Sequence, residues 1–261
     1  MIRFASLGSG SRGNALLVEA GRTRVLLDCG FGLRDAVSRL ERLGVAPDSL
    51  SAILVTHEHG DHAGGVFRLA RRHAIPLWLT HGTLAALAGR EEASAHSVHS
   101  ALSVIDGHSA HAIGDLQILP YPVPHDAREP VQYVFSDGAR RLGVLTDAGC
   151  LTPHLVTMLD ACDALVLECN HDADMLAASR YPPSLRQRIA GRLGHLDNAA
   201  AADLLRRIDT GRLQHVVAAH LSEENNRPEL AVAALAGALS CAPEWIGVAT
   251  QETGFDWRQI V

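Results

Sequence analysis

Lysine is absent from this chain of 261 residues, and all 23 basic side chains are arginine. That bias points to a GC-rich coding sequence rather than to a function. No C-x-x-C pair occurs among Cys29, Cys150, Cys162, Cys169 and Cys241, and an odd number of cysteines adds to the case against a disulfide framework. No apolar run reaches the roughly 20 residues of a membrane span. The opening Met1-Ile2-Arg3-Phe4 enters a strand-like pattern with no leader-like segment. A reduced, cytoplasmic protein without membrane contact is therefore expected. A linker is missing too, and with 47% hydrophobic residues the chain can bury a large core, so one domain over 1–261 is expected. There is no excess of positive charge. The net charge of −6 argues against broad adhesion to nucleic acid.

Histidine, by contrast, is plentiful, with 15 residues concentrated in the middle of the chain. The densest stretch is Thr56-His57-Glu58-His59-Gly60-Asp61-His62, directly after the apolar run Ala52 to Val55, which reads as a buried strand. Successive strand residues alternate faces. His57 and His59 can therefore point the same way and grip one metal ion, while Asp61 and His62 turn with the loop toward a second.

Around this motif, residues 2–7, 14–19 and 23–28 read as a β-meander. The Gly- and Ser-rich loop between the first two strands offers backbone N–H groups that could hold a phosphate, with Ser9 and Asn14 as candidate substrate contacts. Asp28 ends the third strand, where a carboxylate can orient a ligand histidine. Helical spacing covers Phe31 to Leu43 and Val66 to His73, and a strand is expected at Pro76 to Thr80. Between Gly82 and Ile113 the pattern weakens to a short alanine-rich helix. His96, His99, His108 and His111 read as surface or loop residues, because no acid or strand end frames them.

Order then returns. Strand-like runs at Leu116–Leu119 and Val131–Phe135 bracket His125. Arg141 to Leu145 delivers Asp147, Ala164 to Leu167 delivers Glu168, and His215 to Ala219 delivers His220. Helices are expected at Pro153–Leu159, Asn198–Ile208 (with Asp197 as N-cap) and Pro228–Leu239, and a closing strand near Ile246–Thr250. Ligand-type residues thus recur at strand ends, which reads as one site assembled from distant segments. Two runs of strands, each followed by helices, suggest two sheets packed face to face with helices outside, a four-layer α/β sandwich.

These residues resemble the metallo-β-lactamase superfamily, whose signature is H-x-H-x-D-H followed by a distant His, Asp and His, over nearly the whole chain. Ser6 to Asn14, Glu168 to Asp172, Gly194-His195 and Ala219 to Ser222 are similar to its YycJ/WalJ branch, whose members are regarded as DNA exonucleases acting from the 5′ end. The resemblance implies an αββα sandwich. It makes His57, His59 and His125 the ligands of one divalent metal and Asp61, His62 and His220 those of another, with Asp147 bridging. Two cations about 3.5–4 Å apart need such a shared carboxylate to offset their repulsion. Nitrogen and oxygen donors without a thiolate suit zinc, manganese or iron.

By the same resemblance, a metal-bridging hydroxide attacks phosphorus, Asp61 belongs to the catalytic set, and His195 protonates the leaving oxygen with Glu168 as its partner. Asp197 stands where related phosphodiesterases carry threonine. His171 is open between contacting the phosphate, orienting Glu168 and sitting in a loop. Arg180, Arg186, Arg188 and Arg192 lie in a stretch without acidic residues, where DNA could run. Two other readings stand beside a 5′-to-3′ DNA exonuclease: a small-molecule cyclic phosphodiesterase of the same fold, its cleft closed by residues 90–112, or a catalytically inactive metal-binding regulatory protein. Cys29, Cys150 and Cys169 lie beside site segments and read as small buried residues.

Overall fold

The computed structural model describes residues 1–88 and 102–261; His96, His99 and residues 90–101 of the stretch considered as a cleft cover lie outside them. The chain opens as an antiparallel meander of β1 (Ile2–Gly8), β2 (Ala15–Ala20) and β3 (Thr23–Leu27). Period-2 alternation sends Phe4, Val18 and Val25 into one apolar cluster and Ala5, Leu17 and Leu26 into another. Both faces are covered. That explains why the strands read as nearly continuous apolar runs.

Next comes α1 (Leu33–Arg42), which turns Ala36 and Leu40 onto the sheet. It stops in a Schellman arrangement, with Val45 N–H donating to Leu40 O at 2.9 Å and Gly44 N–H to Glu41 O at 2.9 Å. Gly44 takes φ of 71° there, a conformation that favours glycine. The first sheet continues through β4 (Ala52–Leu54), the short α2 (Gly60–Ala63), α3 (Val66–His73), β5 (Leu77–Thr80), α4 (His81–Leu87) and β6 (Leu102–Ile105).

The second sheet contains β7 (His111–Ile113), β8 (Leu116–Pro122), β9 (Val131–Ser136), β10 (Arg141–Leu145), β11 (Ala164–Glu168), β12 (His215–Ala219) and β13 (Ile246–Val248). Its helices are α5 (Pro153–Leu159), α6 (Ala173–Ala178), α7 (Pro183–Ile189), α8 (Asn198–Arg207) and α9 (Pro228–Leu239). The last strand, β14 (Phe255–Ile260), returns to pair antiparallel with β1.

Each sheet has seven strands, in the orders β14-β1-β2-β3-β4-β5-β6 and β13-β12-β11-β10-β9-β8-β7. Between them lies a cluster that includes Phe4, Leu54, Tyr133, Phe135, Val166 and Val217. Helix α1 and α3 cover the outer face of the first sheet, and α5, α8 and α9 that of the second. This is the αββα sandwich. No helix among the described residues is long and apolar enough to cross a membrane.

In each sheet antiparallel pairing gives way to parallel pairing, at β3-β4-β5-β6 and at β10-β11-β12-β13. Parallel neighbours end on the same edge, so the residues after β3, β4, β10, β11 and β12 gather there. Six elements had no counterpart in the sequence reading: α2, β6, β7, α6, α7 and β14. His111 differs as well. It belongs to β7 and sets its ring 5.9 Å from that of Trp78, whereas His108 sits in an exposed turn donating its N–H to Asp106.

Candidate metal centre

Asp28, after β3, organises the first part of the site. Its Oδ1 accepts from Thr56 N–H at 2.8 Å, and its Oδ2 accepts from the Thr56 hydroxyl and from His62 Nδ1, each at 2.8 Å. Having given its proton to Asp28, the Thr56 oxygen is left to accept from His57 Nδ1 at 2.9 Å. The Gly194 carbonyl, which can only accept, takes a bond from His125 Nδ1 at 3.0 Å. A ring proton fixed on Nδ1 leaves the lone pair on Nε2. His57, His62 and His125 are thereby set in the tautomer that a metal ligand needs.

The Nε2 atoms converge. His62 Nε2 lies 3.1 Å from Asp147 Oδ2 and 3.4 Å from Asp61 Oδ2. His220 Nε2 lies 3.3 Å from Asp147 Oδ1 and 3.4 Å from Asp61 Oδ2. On the other side, His125 Nε2 is 3.3 Å from His59 Nδ1. Donor atoms of His57, His59 and His125 lie within 4.8 Å of one another, as do those of Asp61, His62 and His220, and those of His57, His62 and Asp147. Asp147 sits between the two sets.

The charges lead to the same chemistry. Burial holds the His57 imidazole well below its ordinary pKa and lowers that of His125, so both stay neutral. For His62, burial is outweighed by Asp147, Asp61 and Asp28, which raise its pKa well above the ordinary value. Asp147 is buried too, yet His220 and His62 hold its carboxyl well below the usual range. The cavity therefore demands positive charge. His57 Nε2, Asp147 Oδ2 and His220 Nε2 are buried without a hydrogen-bond partner among the described residues. Orphaned buried polar atoms are costly, and here they are lone-pair donors facing one another, which is the arrangement a divalent cation satisfies. Asp28, Asp147 and His220 also carry positive φ of 61°, 57° and 53°, so the backbone bears strain at the three strand ends that present donors and their support.

Beside this set, Glu168 is fully buried at the end of β11. Its Oε2 accepts from Ala148 N–H at 3.0 Å and Leu196 N–H at 3.1 Å, and its Oε1 lies 2.8 Å from His195 Nδ1. Donor atoms of Asp147, Glu168, His195 and His220 also fall within 4.8 Å of one another. A third cation there is unsupported, because both Glu168 oxygens and His195 Nδ1 are already used. Burial opposes a charged His195, but Glu168 and then Asp147 raise its pKa above the ordinary value. Asp197 caps α8 through Oδ1, which accepts from Ala200 N–H at 2.6 Å.

The remaining candidates fall into two groups. Ser9 and Asn14 turn inwards: Ser9 Oγ accepts from His220 N–H at 2.9 Å and donates to Asn14 Oδ1 at 3.2 Å, and Asn14 Nδ2 reaches Asp61 Oδ2 at 3.3 Å. Their side chains support the donor-bearing segments. His171 is buried, with no partner for Nδ1 among the described residues, and Arg186 donates to the Ala177 carbonyl. Arg180 and Arg192 are exposed, and Arg188 pairs with Asp126 at 2.6 Å.

Sequence reasoning passed over Thr56, Gly194 and Asn170 as supports. Asn170 Nδ2 donates to the His220 carbonyl at 3.0 Å and faces His220 Nδ1 at 3.3 Å. Its place in Glu168-Cys169-Asn170-His171, just past a strand end, was the one available signal. All five cysteines are free, and burial pushes the Cys29 thiol up to about 12 and Cys162 up to about 11.

The segment after β3 and the start of α2 pass very close together. A Cβ on Gly30 would lie 1.8 Å from the Asp61 carbonyl oxygen. Gly30→Ala is expected to destabilise the protein by about 1–3 kcal/mol or more and to lower bound metal per chain, read by urea unfolding and elemental analysis. Unchanged metal content would show that the approach does not position Asp61.

A family model described as the beta-lactamase superfamily domain matches residues 23–220. Exodeoxyribonuclease YycJ of Bacillus anthracis is 33% identical over 230 residues, covering 88% of this chain and 86% of that protein. Exodeoxyribonuclease WalJ of Streptococcus pneumoniae is 32% identical over 254 residues, covering 94% and 91%. The chain belongs to the YycJ/WalJ branch of the metallo-β-lactamase superfamily. As a member of that superfamily it is a metal-dependent hydrolase. The metallo-β-lactamase fold protein YhfI of Bacillus subtilis superposes with a TM-score of 0.76 at 16% identity, over 99% of this chain and 100% of that one, which shows the shared fold.

Proposed function

We propose that this member of the YycJ/WalJ branch is a two-metal phosphodiester hydrolase whose substrate is DNA, degraded from the 5′ end. In this reading His57, His59 and His125 hold one divalent ion, Asp61, His62 and His220 the second, and Asp147 both. The observation that carries the reading is the Glu168-anchored His195 standing against a doubly compartmented donor set. Relatives named exodeoxyribonucleases over most of their length supply the substrate class.

The bound cations, zinc, manganese or iron, would supply Lewis-acid charge for the phosphoryl oxygens and activate a water as nucleophile. Everything else falls to the chain. Glu168, locked by two backbone N–H groups, holds the Nδ1 proton of His195 and stabilises the imidazolium, which leaves Nε2 to protonate the departing oxygen. Ser9, Asn14, Thr56, Asp28 and Asn170 fix the donors in place. Exposed Arg180 and Arg192, with Arg186, offer a local cationic track, so DNA binding follows the field at the cleft rather than the net charge of −6.

The test is digestion of end-labelled linear DNA by protein reconstituted separately with manganese and with zinc, with a cyclic nucleotide phosphodiester in parallel and Asp61→Ala as control. Early release of labelled mononucleotide from the 5′ end alone, lost in the variant, is expected. Intact DNA with cleavage of the small ester would overturn the DNA assignment and leave phosphodiester hydrolysis standing.

A further inference from the structure

Two adjoining clefts lie on the His195 side of the site, one of them lined by His195, and no residue of the proposed ligand set lines either. The first, of about 390 Å³, has apolar walls from Leu176, Ala177 and Pro183. The second, of about 350 Å³, is lined in part by His195 itself. They share His171, Ala190 and Asp197. His171 is 97% buried by its relative exposure of 3%, and its Nδ1 has no hydrogen-bond partner among the described residues. Arg186 is held at the rim of the first cleft by its bond to the Ala177 carbonyl, and Gln187 adds an amide.

We infer that the first cleft takes the nucleobase on the leaving-oxygen side of the scissile phosphate. The inference rests on the phosphodiesterase reading above, because it is His195 as proton donor that makes its own flank the leaving side. A flat base suits the walls: its faces meet aliphatic carbon, while its edge carries both donors and acceptors to match Arg186, Gln187, Asp197 and the unpaired His171. A phosphate suits them less well, since it would meet the Asp197 carboxylate and bury its charge against Leu176 and Pro183. The cleft would thus seat one nucleotide next to the acid and bring the departing oxygen to His195.

The experiment uses short oligonucleotides with one tetrahydrofuran abasic residue, placed on either side of a defined phosphodiester, with bis(4-nitrophenyl) phosphate as a base-free substrate. Loss of the base from the fragment that departs with a free hydroxyl is expected to lower kcat/KM by roughly tenfold or more, and loss on the opposite side to change it far less. Ala177→Trp, which fills the cleft, is expected to bring the base-containing substrate down to the abasic rate while bis(4-nitrophenyl) phosphate turnover stays unchanged, showing the variant folded and loaded. Gln187→Trp fills the cleft from its other wall and gives the same result if the first variant fails to fold. In the metal-free protein, thymidine but not deoxyribose is expected to shift the His171 imidazole resonances. Equal rates with and without the leaving-side base, or rates untouched by both tryptophans, would overturn the inference while DNA cleavage stands. Failure to hydrolyse either DNA or the base-free ester would remove the underlying reading and the inference with it.

Discussion

Asp147→Ala is expected to take the bound metal from two ions per chain to fewer than one and to lower DNA hydrolysis by about 10³-fold or more. The expectation comes from where the carboxylate lies. Oδ2 is 3.1 Å from His62 Nε2 and Oδ1 is 3.3 Å from His220 Nε2, while Asp147 also shares a 4.8 Å donor group with His57. Among the described residues, no other acid joins a donor group that contains His57. On the proposed two-metal reading, removing Asp147 would delete a ligand from each side and leave two cations without a shared anion. Asp147→Asn separates charge from shape, because the amide keeps the volume and loses the negative charge. Both variants should behave alike in elemental analysis and in metal-induced thermal stabilisation, which mass action makes proportional to the logarithm of free metal over Kd. Two tightly held ions in Asp147→Ala would show that the carboxylate does not bridge.

The donors were legible because they are local or sit at strand ends. His57 to His62 fall within one hexapeptide, and His125, Asp147, Glu168 and His220 each follow an apolar strand whose period is visible in the residues themselves. The helices α3, α5 and α9 were equally plain from their apolar spacing, and Pro153 and Pro228 mark the starts of α5 and α9. Their supports were not, since they act across the chain. Gly194 contributes a carbonyl, which no side-chain pattern announces, and Thr56 matters only because Asp28 comes within 2.8 Å of it from 28 residues away.

Strand β14 escaped for a similar reason. It is an edge strand whose only described sheet partner is β1, more than 240 residues earlier, and Asp256, Trp257, Arg258 and Gln259 are not buried, so its apolar signal is weak. Ser9 and Asn14 show the opposite effect: a Gly-Ser loop suggested phosphate binding, and the fold instead spends both side chains on His220 and Asp61. Local chemistry names the groups, and tertiary contact decides which of them face the substrate.

His195→Ala is expected to lower kcat by about 10²–10⁴-fold with both metal ions retained, as removal of a general acid does. Retention follows from the geometry, because Nδ1 is committed to Glu168 at 2.8 Å and the neighbouring donors keep their own supports. The loss should be smallest for esters whose leaving group needs no proton. With bis(4-nitrophenyl) phosphate the deficit is expected to shrink toward unity, while with DNA it stays full.

Glu168→Gln extends the test to pH. A general acid works only while protonated, so kcat falls as pH rises through the His195 pKa, which Glu168 raises against the pull of burial. Removing that charge lowers the pKa, and the alkaline limb of the profile should move to lower pH. The amide oxygen can accept from His195 Nδ1 only by turning its NH2 toward the Ala148 and Leu196 N–H groups, which weakens the anchor, so urea unfolding is followed alongside; the variant touches no residue of the proposed ligand set, and metal content is expected to hold. A limb that stays in place, or a leaving-group-independent deficit in His195→Ala, would assign the proton to another donor and reduce His195 to a wall of the cleft.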